Sequence, residues 1–431
     1  MFFLKTPLFS MFLIAVFGFH IVSNTIKDDQ NRIRIFRGFN IGAKDKVPSF
    51  NSIDPAVLLS KLWDTNSNVV RFPFIWEAYE STLGNYNQSY LDYYSNVVDI
   101  LGVHNISVIL DFHQDGYSRY SLDGCGEGFP KWATSNAETP DNGINCKNWG
   151  FKMLYHKQMR YNFNNFFTSP QLQYAFIRMV TTVILKLNHS YILGMDILNE
   201  PIVDESLLSK FHALVQKHIR PLYKGIIFQS PNPLSTTPGF GQTKLQQIPN
   251  DDQIVYAPHY YKPLGMHSIF VHQFFKFSQT TSDKWHKPWF LNEFGMPPGK
   301  DAKNELSLTY DLMDKYLISG CQWTLNTAWD PEIKDGWNFE DFSVFGKDWR
   351  NNYIVRPYVR AISGRSASFE YKSMHVRMVY DAVVGISEIA VPRLLIIKSV
   401  SPHCNVVNSV IYCEEVIDKE KQVIEIELEN K

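Results

Sequence analysis

The sequence predicts an α/β fold: a (β/α)8 barrel followed by a small C-terminal β-sandwich-like domain. Three observations carry that expectation. From about Arg37 to Gly364, short apolar runs alternate with helical stretches, close to eight times, which implies βαβ units and a parallel sheet. No glycine-rich phosphate turn follows the first run, which argues against a doubly wound sheet. After Gly364 the helices stop and strand-like alternation takes over. The 431 residues suffice for one large barrel and an appendage, and 45% hydrophobic content supplies its core.

The elements follow in order. "RIFRGFNIG" is the first barrel strand, and "DPAVLLSKLWDT" the helix after it. "NVVRFPF" is the next strand. "YLDYYSNVVDILGVHN" is helical and leads to "SVILDFHQ". A long Gly- and Asn-rich loop, Asp115 to Gly150, then breaks the rhythm. "QLQYAFIRMVTTVILKLN" precedes the strand "ILGMDILNE", and "LLSKFHALVQKHIRPLY" precedes "GIIFQS". Next come "IVYAPHYY", "PWFLNEFG", the helix around "LTYDLMDKYLISG", and "CQWTLNT". "RPYVRAISG" is expected to be the closing helix. "FEYKSMHVRMVYDA", "EIAVPRLLIIKSV" and "QVIEIELE" alternate as strands. The expected divisions are 1–24, a signal peptide; 30–363, the barrel; and 364–431, a full or reduced sandwich.

The opening residues carry one lysine and then an apolar run from Leu8 to Val22. That run is short for a membrane span and suits a secretory leader, with an uncleaved signal anchor as the alternative because no A-x-A cleavage site is obvious. It implies a secreted, extracellular or lysosomal-lumen protein. Sequons at Asn87, Asn105 and Asn188 fit export. Cys125 with Cys146, and Cys404 with Cys413, are plausible bridges of the 5 cysteines, leaving Cys321 unpaired. The net charge of −1 gives no footprint for nucleic acid. Neither a C-x-x-C pair nor an H-E-x-x-H helix occurs, so no metal is expected, and no organic cofactor is implied. Aromatic content of 15% suits a carbohydrate cleft or simply a large core. Oligomeric state is not legible.

In a barrel, sites form at the C-terminal ends of the strands. Here those ends carry Asn40, Arg71, His113, Asp115, Asn199, Glu200, His259, Tyr261, Glu293 and Trp323. Any one polar strand end has a bland reading, since strand ends meet water. The whole set converging on one face does not. Glycoside hydrolysis needs two carboxyl groups flanking the scissile bond. Glu200, leaving a buried strand, is the expected acid/base, because loss of solvation raises a carboxyl pKa. Glu293 is the expected nucleophile, kept ionised by a nearby Arg71. Asn199 is expected at a sugar 2-hydroxyl. His113 and His259 are expected to hold the nucleophile or a sugar hydroxyl. Tyr261, on the same strand face as His259, is expected to donate to Glu293, and Trp323 to floor the sugar slot.

In this order, Arg71, His113, Asn199-Glu200, His259-x-Tyr261, Glu293 and Trp323 resemble glycoside hydrolase family 5, a clan of retaining barrel glycosidases. The resemblance covers about Arg37 to Gly364. "GFNIGAK", "DFHQDGYSRY", "GFPKW", "YAPHYY", "LNEFGMPP" and "PEIKDGWNFEDFS" are similar to the endoglycoceramidases within it. It implies sugar-binding roles for Lys44 and Asp115, and packing of Trp149 against the glycan. The implied reaction is hydrolysis, through a covalent glycosyl-enzyme, of the β-glucosyl bond between glycan and ceramide. The implied partners are a glycosphingolipid and, transiently, a membrane or micelle surface. Two alkyl chains would need an apolar groove, expected from Tyr117, Tyr120, Phe129 and Trp132, or from Met266, Phe270, Phe274 and Phe275. The alternatives are a cellulase-like or steryl-β-glucosidase activity, and a catalytically silent glycolipid-binding protein.

Overall fold

The computed structural model describes residues 18–42, 46–137, 146–147, 149–237, 239, 241–262, 269–299, 302–327, 329–332, 334–345 and 353–431. Lys44 and Met266 lie outside them. The chain opens with a hairpin, β1 (His20–Val22) and β2 (Thr25–Lys27), and a short β3 (Ile33–Arg34). The leader drawn to residue 24 therefore overlaps folded structure. Ile21 is buried, and its N–H donates to Gln253 Oε1 at 3.0 Å.

The barrel then unfolds as read. β4 is Arg37–Ile41 and α1 Pro55–Asp64; β5 is Val69–Ile75, followed by α2 (Trp76–Tyr79) and α3 (Gln88–Val103). β6 (Ser107–His113) leads through the long loop to α4 (Trp149–Tyr155), α5 (Lys157–Thr168) and α6 (Pro170–Lys186). β7 (Ile192–Asp196), α7 (Glu205–Ile219), β8 (Ile226–Gln229) and α8 (Pro233–Thr236) follow. β9 (Ile254–Tyr256), β10 (His259–Tyr260), α9 (Ile269–Trp285), β11 (Phe290–Phe294), α10 (Ala302–Tyr316) and β12 (Ser319–Leu325) complete it. Helix starts are written in the sequence. Asp54, Asn87, Ser169 and Asp204 each accept backbone N–H groups of the first turn, and proline follows Asp54 and Ser169.

The parallel sheet runs β10-β11-β12-β4-β5-β6-β7-β8-β9. β9 pairs with β8 and β10 with β11, and Tyr256 bridges to Trp289. β9 and β10 are thus one strand broken at Ala257-Pro258, and the nine segments close an eight-stranded barrel. Gly38 is needed for that closure: a Cβ there would lie 1.7 Å from the Val69 carbonyl oxygen. Inside, Val69, Ile109, Leu193, Ile226, Val255, Phe290 and Cys321 form one cluster, with Ile21, Ile26 and Phe36 of the N-terminal segment beneath it. Side chains alternate along a strand. Two residues above Val69 comes Arg71, above Ile109 come Asp111 and His113, and above Cys321 comes Trp323. Apolar floor and polar mouth are successive layers of the same strands.

The remaining strands are β13 (Tyr358–Ile362), β14 (Gly364–Lys372), β15 (His375–Ala382), β16 (Gly385–Ala390), β17 (Leu395–Val400), β18 (Cys404–Val407), β19 (Val410–Glu415) and β20 (Lys419–Asn430). They form two antiparallel sheets, β1-β2-β3-β13-β16-β19-β18 and β14-β15-β20-β17, over a core that includes Val376, Met378, Ile389, Ile411, Ile424 and Ile426. "RPYVRAISG" is therefore a strand, not the expected helix. β13 precedes the expected boundary at residue 364 and pairs with both β3 and β16. Both expected disulfides are present, Cys125–Cys146 and Cys404–Cys413, and Cys321 is free and buried.

Candidate active site

Arg71 sits at the centre of the polar layer and is fully buried. Its Nη1 donates to Asn40 Oδ1 (3.0 Å) and to Glu293 Oε1. Its Nη2 reaches Asp111 Oδ1 (2.8 Å), Asp196 Oδ2 (2.8 Å) and Asn199 Oδ1 (2.9 Å). One guanidinium cannot balance three ionised carboxylates in a dry site. Burial, with the Asp111 charge, holds Asp196 above the ordinary aspartate range. Burial also opposes ionisation of Asp111, but Arg71 and His113 outweigh it and Asp111 is held low. Of the two aspartates on Arg71, Asp111 is thereby the one that carries the negative charge.

Glu293 ends β11 with both oxygens engaged. Tyr261 Oη donates to Oε2 at 2.8 Å, while Arg71 holds Oε1. Burial, followed by the Glu293 and Glu200 charges, pushes the Tyr261 phenol well up, so it remains a donor. Glu200 lies just past β7 with φ at 40°, in the left-handed region that costs a non-glycine residue energy. Gln114 holds that turn: its Nε2 donates to the carbonyls of Asn199 (2.6 Å) and Glu200 (3.0 Å). Burial raises the Glu200 carboxyl, the Glu293 and Asp115 charges raise it further, and His259 opposes them. His259 Nδ1 lies 2.8 Å from Glu200 Oε1 and 3.6 Å from Glu293 Oε2. Burial disfavours charge on His259, but the two glutamates favour it and prevail. The facing atoms of Glu200, His259 and Glu293 all lie within 4.8 Å of one another.

One wall belongs to His113. Its Nδ1 meets Asp111 Oδ2 at 2.6 Å, and its ring stacks parallel to Trp323 at 5.8 Å. Lys46 lines this wall, while the expected Lys44 lies outside the described residues. Its ammonium bonds Asp115, lies 2.8 Å from Glu127 Oε1 and sits 4.5 Å above the Trp323 ring. Burial opposes Asp115 ionisation, but Lys46 and His113 hold it well below the usual range. Burial pushes Glu127 up. Asn199 Nδ2 donates to Gln114 O at 3.0 Å and reaches Asp115 Oδ1 at 3.5 Å. Trp149 Nε1 donates to Glu340 Oε1 at 3.0 Å, and its ring packs edge-on against Trp337 at 5.4 Å. Burial pushes Glu340 up to about 8, so near neutrality it carries a proton to donate.

Among the described residues, most side chains expected to line an apolar groove are placed elsewhere. Tyr117 and Phe129 are core, stacked on each other at 4.1 Å. Tyr120 bonds Glu77, and Trp132 donates to Glu80 O. Phe274 and Phe275 are buried under the barrel wall. The loop carries enough apolar residues to make a core of its own. Lys46, Gln114, Glu127 and Glu340 are functional neighbours that sequence reasoning missed. Gln114 alone carried a signal, directly following a strand-end histidine. Among the described residues, three acid–histidine clusters, Asp111/His113/Glu293, His113/Asp115/Glu127 and Glu200/His259/Glu293, have the proximity of metal ligands. In each, a side chain already supplies the cation: Arg71 on Glu293, and Lys46 on Asp115 and Glu127.

Fold and site together define a (β/α)8 protein with the paired-carboxylate site of a glycoside hydrolase. The cellulase model, glycosyl hydrolase family 5, matches residues 34–328, and the chain belongs to that family. An endoglycoceramidase of Cyanea nozakii is 35% identical over 119 residues, 26% of this chain and 23% of that protein. The match thus spans about a quarter of the relative's length. Among solved structures, endo-glycoceramidase II from Rhodococcus sp., in a cellobiose-like imidazole complex, superposes with TM-score 0.78 at 21% identity, covering 94% of this chain and 99% of that one. The same enzyme solved as a lactosyl-enzyme intermediate and with ganglioside GM3 gives TM-scores of 0.77. Sterylglucosidase 1 of Cryptococcus neoformans gives 0.75 at 14% identity, covering 95% of this chain and 97% of that one. At such identities these structures speak to fold alone.

Proposed function

We propose that this chain is a retaining β-glycosidase that cleaves the β-glucosyl bond between glycan and ceramide in glycosphingolipids. The observation that carries the mechanism is the closeness of Glu200 and Glu293. Retaining enzymes separate their carboxyl groups by about 5–5.5 Å, whereas inverting ones leave about 6.5–9.5 Å for a water. Facing oxygens of Glu200 and Glu293 within 4.8 Å of each other favour the closer, retaining arrangement. In the first step, Glu293 attacks the anomeric carbon as the bond to the leaving oxygen breaks. Glu200, kept protonated by burial, passes its proton to that oxygen. In the second step, Glu200 takes a proton from water, the water oxygen bonds the anomeric carbon, and Glu293 leaves as carboxylate. His259 bridges both groups and can follow the charge as it moves between them. Lys46, Asp115, Trp149 and Glu340 border the slot on one side and suit the hydroxyls of a second sugar.

The choice of a glycolipid rests on the matched stretch of the Cyanea nozakii endoglycoceramidase and on the motifs shared with such enzymes. The leader and the two disulfides support an oxidising, exported destination, and the sandwich is taken as part of the mature enzyme. The test is hydrolysis of fluorescent ganglioside and fluorescent glucosylceramide, with Glu293→Gln as control and NMR of the first-formed anomer. Release of intact β-oligosaccharide by the unaltered enzyme alone is expected. An inverted product, or equal activity in the control, overturns the mechanism. Cleavage of soluble glucans but neither lipid moves the reading to a cellulase-like enzyme.

A further inference from the structure

Helix α4 buries none of its residues. Phe151, Leu154 and Tyr155, spaced as one helical face, are 58%, 50% and 67% exposed. A face of that spacing normally points into a core. Here it points outward while the helix start is pinned. The Cys125–Cys146 bridge precedes it, and Trp149 is tied to Glu340 in the loop after β12. Both loops leave C-terminal strand ends, so α4 stands at the rim of the active-site mouth. Tyr161 of α5 is likewise exposed.

Along the sequence the charges of this stretch are predominantly basic. From Asp141 to Asp196 the sequence has no acidic residue between the two, yet it carries Lys147, Lys152, Lys157 and Arg160 around this face. Lys152 and His156 share Asp123. Among the described residues, Lys157 and Arg160 have no carboxylate within ion-pair distance. An apolar face rimmed by cations matches the boundary of an anionic bilayer, where side chains enter among acyl chains and cations meet phosphates. Among the described residues, no helix is long and apolar enough to cross a membrane.

We propose that the α4–α5 surface docks the active-site mouth onto an anionic lipid bilayer, with Phe151, Leu154 and Tyr155 entering the interface. The purpose of the docking rests on the glycolipid reading above; the docking itself is tested without it. The full chain is sedimented with phosphatidylcholine vesicles with and without phosphatidylserine. The unaltered protein is compared with a Phe151→Ser/Leu154→Ser/Tyr155→Ser variant. A second variant, Val384→Ser/Ile417→Ser, removes the exposed aliphatic tip of the sandwich, where these residues are 58% and 66% exposed. Binding that needs phosphatidylserine, weakens with salt, falls about tenfold or more in the α4 variant and survives in the tip variant is expected. Hydrolysis of a water-soluble aryl β-glycoside serves as the folding control and is expected to stay within about twofold. Undiminished vesicle binding by the α4 variant, loss in the tip variant instead, or self-association through this face without vesicle binding overturns the proposal. Failure to cleave any glycolipid, with α4-dependent binding intact, would sink the substrate reading and leave the docking standing.

Discussion

Replacing Tyr261 with Phe isolates one interaction at the nucleophile. The hydroxyl gives Glu293 Oε2 a 2.8 Å bond, and the ring packs edge-on against Phe342 at 5.7 Å. Phenylalanine keeps the ring contact and removes only the donor, while Arg71 still holds Oε1. A hydrogen bond to a charged group is worth about 1.5–3 kcal/mol. At ~1.36 kcal/mol per decade, full loss in the transition state slows the reaction about 10- to 150-fold. The loss is not shared evenly. The donor bonds a carboxylate more strongly than an ester, so the step that releases Glu293 suffers most, and the glycosyl-enzyme should accumulate. The assay is steady-state turnover of a dinitrophenyl β-glycoside, with intact-mass detection of the intermediate. A folded variant turning over within about twofold of the unaltered enzyme, with no accumulated intermediate, would refute the assignment of Tyr261 as the donor that stabilises the departing carboxylate.

Glu200→Gln should slow cleavage of poor alkyl leaving groups by about 100- to 10,000-fold and activated aryl ones far less, with azide restoring turnover and giving a β-glycosyl azide detectable by NMR. Glu340, held at about 8 against an ordinary 4.5, keeps a proton that the unfolded chain releases. The unfolded state therefore gains relative stability as pH rises from about 4.5 to 8. Melting curves should show the difference between the unaltered protein and Glu340→Gln moving in favour of the variant from pH 5 to pH 8; a constant difference counts against a neutral Glu340. Reduction of Cys125–Cys146, with a sequence separation of 21, should cost about 3 kcal/mol by loop closure, read as a lower denaturant midpoint for the double alanine variant.

Much of the site was legible because barrel geometry turns position in a strand into position in space. Arg71, His113, Asn199, Glu200, His259, Tyr261, Glu293 and Trp323 each end an apolar run or follow it closely, and the structure brings all of them together. Loops obey no such rule. Lys46 lies in a turn whose path is set by Asp115 and Glu127, far along the chain, and nothing local distinguishes it from Lys44. Glu340 depends on Trp149, nearly half the chain away. The aromatics of the long loop misled for a related reason: Tyr117 and Phe129 sit among glycines and read as surface, yet α5 and α6 cover them.

The two segments that bracket the barrel take their structure from partners distant in sequence. Arg356–Gly364 offers Tyr358, Val359, Ala361 and Ile362, a pattern that serves a short helix as well as a strand. Pairing decides it, because β3 and β16 present open edges on either side. The β3 edge is there because the N-terminal segment folds under the barrel. There the apolar run that reads as a leader ends in folded structure, at β1. A leader needs unbroken hydrophobicity, and the barrel floor needs Ile21 and Ile26. A cut after residue 24 would remove β1, strand the Gln253 amide acceptor and open the floor beneath Phe36.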